Sequence, residues 1–221
     1  MDPDFRRQYL GPIVEEMKVH WPNNRPIHIV CHGHSVPAGY FATPMVNTFH
    51  AYPHLLHKGL KERFPYAIVN VIVTAIGGEN SITGLQRLDT DVLCHKPDIL
   101  TIDYALTDRW IGLIESEKSW RSMIEKALGN DVKVILLTPS MDINAGQSPY
   151  SEEWKVLEEY AIMIRNLADA YHIGLADSFA AFEKYIINGG DITDLLSWSN
   201  HPNGKGHELI AQELLRWFTI H

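Results

Sequence analysis

Residues 27–37 read Ile27-His28-Ile29-Val30-Cys31-His32-Gly33-His34-Ser35-Val36-Pro37. The first five form a short, mostly apolar, β-rich run, and Gly33 closes it with a residue that permits a tight turn. A hydroxyl therefore stands at the carboxyl end of a buried strand, which makes Ser35 the first candidate nucleophile. Taken alone, a loop serine is more often a turn or helix-capping residue, because its short hydroxyl bonds to nearby backbone. The rest of the chain has to decide between the two.

Four further runs repeat the strand pattern, at 67–74, 99–103, 132–138 and 173–176. Between and after the strand runs lie segments with helical spacing at 52–64, 81–93, 117–128, 152–171 and about 203–218. Apolar strands separated by helices need crossover connections. They predict a five-stranded parallel sheet covered on both faces, a three-layer α/β/α sandwich. The 221 residues fit one domain, 1–221, in which 1–26 form an N-terminal helical extension.

Composition narrows the function. Lys and Arg total 19 against 27 Asp and Glu, a net charge of −8 that disfavours nucleic acid and anionic membrane surfaces as partners. Two cysteines are too few for a disulfide scaffold, and Cys31 sits in an apolar run that suits a reduced, buried thiol. The N-terminal sequence lacks the features of a secretory signal, and no apolar stretch is long enough to span a membrane. The expectation is a cytoplasmic protein. Trp217, read as an exposed aromatic, points to a homo-oligomer.

In open α/β sheets, ligands bind outside the carboxyl ends of the strands, which directs attention to the loops there. Ile76-Gly77-Gly78-Glu79-Asn80-Ser81 offers unobstructed backbone N–H groups at a helix start, suited to an oxyanion. Asp103-Tyr104-Ala105-Leu106-Thr107-Asp108-Arg109-Trp110 brings a hydroxyl and a carboxylate, although Asp108 and Arg109 also read as a surface ion pair. Near the end, Ser199-Asn200-His201-Pro202-Asn203-Gly204-Lys205-Gly206-His207 precedes an apolar helix. The positive end of that helix keeps His201 neutral and able to accept a proton. His207, in the first turns, reads as a structural hydrogen-bonding residue.

Four loops in this order resemble those of the SGNH (GDSL-like) hydrolases, and the likeness spans residues 27–218. It implies the flavodoxin-like fold of that family and a serine esterase or acylhydrolase that needs neither metal nor organic cofactor. The family's Gly-Asp-Ser block is matched by Gly33-His34-Ser35, which places the nucleophile on Ser35. Gly78 takes the second-block glycine whose N–H enters the oxyanion hole, beside the Ser35 N–H. The third block, usually Gly-x-Asn-Asp, appears as Ala105-Leu106-Thr107-Asp108, so Thr107 replaces an asparagine donor. The last block, usually Asp-x-x-His, has Trp198 three residues before His201. Trp198 cannot accept a hydrogen bond from the imidazole. Asp194, seven residues upstream, or a backbone carbonyl is left to orient His201.

The resemblance implies a small-molecule ester as substrate, with O-acetylated carbohydrate the first expectation and lysophospholipid or thioester hydrolysis the alternative. Residues 40–45, Trp110, Trp198 and Met141 are candidate pocket walls. Two rival readings come from other classes. His32, His34, His50, His54 and His57 suggest a metal site, weakened by Pro53 and by the lack of a matching carboxylate or cysteine. Thr107 and Trp198 suggest a degenerate, non-catalytic ester- or glycan-binding domain.

Overall fold

The computed structural model describes residues 3–219. Its strands are β1 (Pro26–Gly33), β2 (Ile68–Val73), β3 (Ile99–Asp103), β4 (Lys133–Leu137) and β5 (Gly174–Ala176), all parallel, in the order β2-β1-β3-β4-β5. The helices are α1 (Pro3–Lys18), α2 (Ser35–Ala38), α3 (Tyr52–Arg63), α4 (Ser81–Gln86), α5 (Ala105–Asp108), α6 (Leu113–Leu128), α7 (Ile143–Gln147), α8 (Glu152–Tyr171), α9 (Ser178–Ile187) and α10 (Gly204–Leu215).

Alternation along the strands builds two core layers. Ile27, Ile29 and Cys31 of β1, with Ile135 and Leu137 of β4, pack with the apolar faces of α1, α3, α9 and α10. Val30, Leu100, Ile102, Val134 and Leu136 point the other way, onto α6 and α8. This is the period-2 geometry of a strand whose two faces are both covered. The N-terminal helix belongs to this core through Leu10, Ile13, Val14 and Met17. Tyr9 completes the sheet where three-residue β5 falls short: its hydroxyl accepts from Val134 N–H and donates to Val134 C=O, at 2.8 and 3.0 Å.

The register places the site. Gly33 pairs with Asp103, so the chain leaves β1 and β3 side by side, at the point where strand order reverses and open α/β sheets bind ligands. A Cβ at Gly33 would collide with the Asp103 carbonyl oxygen. Close approach of two backbones is therefore what requires glycine before the serine.

Three expectations change. Helix 81–93 stops at Gln86, and the chain continues as a π turn (Leu88–Val92) and a 3₁₀ turn (Leu93–His95). The run Asp89-Thr90-Asp91 has weak helix propensity, and Arg87 turns its guanidinium back to Glu79 and Asp91. Helix α9 was not among the expected elements, although Asp177 caps it through Ala180 N–H. Trp217 is buried, and its indole N–H donates to Leu175 C=O at 3.0 Å, so it offers no surface for self-association. Among the described residues no helix is long and apolar enough to cross a membrane.

Candidate active site

Ser35 is the first residue of α2, directly after β1, and the backbone N–H of a first helical residue has no acceptor within its own helix. His201 precedes α10 in a loop that locks onto itself. Ser197 N–H and its hydroxyl both donate to His201 C=O, Leu196 bridges Pro202, and the Asn203 side chain caps α10 through Lys205 N–H and Gly206 N–H. The same Asn203 amide donates to Asp194 C=O and Leu196 C=O. A Cβ at Gly206 would collide with Leu195 C=O. The His-Pro-Asn-Gly-Lys-Gly-His run is thus one device: the candidate base, a helix cap, and a glycine that lets loop and helix touch.

That device brings His201 Nε2 to 3.0 Å from Ser35 Oγ across 166 positions of sequence. On the other side of the ring, His201 Nδ1 meets the main-chain oxygen of Phe41 at 2.8 Å. Because a carbonyl only accepts, Nδ1 carries the proton and Nε2 presents its lone pair to the serine. Asp194 plays no part in this. Its exposed carboxylate accepts from the Tyr185 hydroxyl at 2.7 Å. Of the two candidate partners left by the sequence, the backbone carbonyl is the one in place.

Burial pushes the His201 pKa below its ordinary 6.5, with His34 pushing the same way and the Phe41 carbonyl opposing. Desolvation is the largest of these influences and favours the neutral ring. His34 adjoins Ser35: its Nδ1 lies 3.4 Å from Ser35 Oγ and accepts from Val36 N–H at 3.3 Å, and its Nε2 faces the buried Asp103 carboxylate at 3.4 Å.

The two neighbouring loops carry the other residues singled out by the resemblance. Gly78 has φ +78° and open space around its α-carbon, so conformation and not crowding selects glycine there. The Thr107 hydroxyl lies within reach of two carbonyls, Glu79 at 2.7 Å and Tyr104 at 2.9 Å, and its single proton is directed to backbone. Asp108 and Arg109 are not paired with each other. Asp108 is buried and accepts from Ser81 N–H, the Ser116 hydroxyl and the Trp120 indole at 2.8, 2.5 and 2.8 Å. Arg109 instead bonds Asp142 at 2.6 Å.

Residues 31–209 match the model of the GDSL-like Lipase/Acylhydrolase family. The chain belongs to that family. As such an acylhydrolase it is a carboxylic ester hydrolase, with a serine as the attacking group. An acetylxylan esterase of Geobacillus stearothermophilus is 25% identical over 171 residues, 71% of this chain and 75% of the relative. A solved structure of a catalytic mutant of that esterase superposes with a TM-score of 0.78 at 19% identity, covering 92% of this chain and 97% of the other. An alpha/beta hydrolase from the metagenome of Lake Arreo, Spain, gives 0.75 at 22% identity, covering 91% and 97%. Catalytic mutants of the Geobacillus esterase include a serine, a histidine and an aspartate three positions before the histidine. In this acylhydrolase Trp198 holds that position.

The remaining aromatic and histidine residues sort out as follows. Met141 is fully buried and forms no pocket wall, whereas Trp110 and Trp198 are 82% and 59% exposed. They share a support: Arg109 lies over the Trp110 ring and bonds Asp142, while the next residue, Ile143, donates its N–H to Ser199 beside Trp198. The clustered histidines do not converge on one point. His32 meets Thr74, Gly84 C=O and Tyr104, His50 meets Asn47, and His54 packs on Phe49. Among the described residues no group of three or more His, Cys, Asp or Glu is arranged to hold a metal ion. Sequence reasoning had Phe41 only among the candidate pocket walls of residues 40–45 and did not single out its carbonyl, since a contact through a main-chain oxygen leaves no side-chain signature.

Proposed function

We propose that Ser35 and His201 form a catalytic dyad that hydrolyses small acyl esters, with O-acetylated carbohydrate as the substrate class. The carrying observation is the line Ser35 Oγ, His201 Nε2, His201 Nδ1, Phe41 O, with gaps of 3.0 and 2.8 Å. A nucleophilic serine needs an adjacent base whose second nitrogen is oriented.

Ser35 Oγ attacks the ester carbonyl carbon while its proton passes to His201 Nε2. The tetrahedral oxyanion is held by the N–H groups of Ser35 and Gly78. Thr107 contributes through the loop it ties down at Glu79, and reaches the oxyanion itself only by rotating its hydroxyl. Collapse breaks the bond to the alcohol, which leaves with the proton from His201. Water then attacks the acyl-enzyme, giving its proton to His201, and the carboxylic acid departs as Ser35 is restored.

Two features support a small acyl group on a sugar. Ser35 and His201 are only 6% and 7% exposed, which suits a short acyl chain reaching down from a bulkier alcohol. Trp110 and Trp198 present exposed aromatic faces from one support, as apolar sugar faces require. The relative named as an acetylxylan esterase points the same way. A reducing, cytoplasmic setting is supported by two free cysteines, Cys94 exposed and Cys31 buried with its thiol pushed up to about 12 by burial.

Intact mass after incubation with a fluorophosphonate tests the dyad. One adduct on the wild type, absent from Ser35→Ala and slowed in His201→Ala, is the expected result. An unlabelled wild type would sink the serine mechanism. Acetylated xylo-oligosaccharide, an aryl acetate and a lysophospholipid, compared by kcat/KM, then rank the substrate classes.

A further inference from the structure

We propose that His207 is a positioning residue for the catalytic base: it sets the Phe41 carbonyl that orients His201. The inference rests on the Ser35–His201 reading above. A carboxylate orienter belongs to a side chain with its own anchors, whereas a main-chain orienter is only as well placed as the loop that carries it. Residues 40–46 are such a loop. Tyr40 bridges Val46, Phe41 N–H donates to Met45 C=O at 3.0 Å, and Met45 N–H donates to Ala42 C=O at 2.8 Å. Main-chain bonds also fix the two ends of this segment, Tyr40 N–H on Ser35 C=O at 3.0 Å and Asn47 N–H on Gly39 C=O at 2.8 Å, and they leave the position of Phe41 between them to its side chain.

The Phe41 ring supplies that position. It stacks on the His207 ring at 5.2 Å between centroids and 19° between planes. His207 is fully buried, and its Nδ1 accepts the N–H of Tyr52, the first residue of α3, at 3.2 Å. Burial pushes His207 down to about 3, so the ring stays neutral and keeps its acceptor. The prop is thus fixed to two helices at once. His201 and His207 also flank the Asn203 cap of α10. Base and prop therefore travel with one element, and a small shift of α10 carries the hydrogen bond along without breaking it.

His207 has two separable properties, a flat ring against Phe41 and an acceptor for Tyr52 N–H. His207→Phe keeps the ring and orphans a buried N–H, a loss that falls on stability. His207→Gln keeps an acceptor and loses the ring, a loss that falls on the carbonyl. Misplacement of about 1 Å at a catalytic group costs on the order of 100-fold in rate. The expectation is a reversal of rank. His207→Gln loses the more kcat, about tenfold or more, with KM within about twofold. Its downfield His201 N–H proton resonance also shifts. His207→Phe loses the more Tm. Phe41→Leu, which retains the carbonyl and removes the stacked ring, lowers kcat as His207→Gln does and stands in for it should that variant fail to fold. If kcat simply follows Tm across the variants, or if His207→Gln and Phe41→Leu both keep wild-type kcat, the positioning role is wrong. Fluorophosphonate labelling of the wild type is run alongside: labelled wild type with those results overturns this role alone, and unlabelled wild type overturns the dyad beneath it.

Discussion

His201 Nδ1 lies 2.8 Å from the main-chain oxygen of Phe41, in the place where a serine hydrolase of the triad type has a carboxylate. The carbonyl fixes the same tautomer as an aspartate and withholds its negative charge. In the proposed mechanism the orientation of the base is retained, and the imidazolium formed during acylation is stabilised less than beside a carboxylate.

Since no carboxylate orients the base, removing the nearest candidates by sequence has little effect. Asp194→Ala is expected to keep kcat within about threefold, whereas loss of a true triad aspartate costs on the order of 10⁴. Steady-state kinetics on an aryl acetate decide this, and a loss of a hundredfold would return Asp194 to the site.

The pH profile follows from the direction of the His201 shift. The base works when neutral, and burial lowers its pKa below 6.5. The acid limb of kcat/KM therefore has its midpoint below 6.5, with activity retained into mildly acidic solution and lost as pH falls through the folded-state value. A midpoint at or above 6.5 would contradict the buried setting.

Stability in acid follows from His32 and His207, held down to about 4 and about 3 by burial. Both values are depressed, so the folded protein binds fewer protons than the unfolded chain. The contribution is complete above 6.5 and lost as pH falls from there towards 4 and 3. Each histidine removes roughly 1.4 kcal/mol per pH unit within its window. Urea midpoints between pH 7 and 4.5 measure the sum. A flat profile would show that neither ring is buried as described.

Asp108 holds three donors from two helices, Ser81 N–H of α4 and the Ser116 hydroxyl and Trp120 indole of α6. Asp108→Ala orphans all of them in the core and is expected to destabilise by about 3–5 kcal/mol. Because Ser81 follows the Gly78 loop, kcat falls as well. Thermal unfolding and kinetics on one preparation test both parts, and a Tm within a degree or two of wild type would remove Asp108 from this role.

The five strands, the parallel sheet and four of the five expected helices could be read from the amino-acid sequence because their signals are local. An apolar run, a helical spacing or a capping residue acts within a dozen positions. Ser35 and His201 were readable for the same reason, each standing in a short motif at the end of a strand or before a helix. The misreadings share one cause. Trp217, Met141, Asp108 and Arg109 were assigned surroundings that depend on what the remote chain brings against them: Leu175 for Trp217, Asp142 for Arg109, Ser116 and Trp120 for Asp108.

By itself, then, the sequence determined the layered α/β architecture and the pair of residues that face each other at the sheet's carboxyl edge, since hydrophobic periodicity and turn chemistry specify both. Only tertiary structure decided what orients the base. That partner is a main-chain oxygen 160 positions from His201, and every residue but its own loop geometry would offer the same atom. Side-chain identity encodes which groups are available for chemistry; the path of the chain decides which backbone atoms stand beside them.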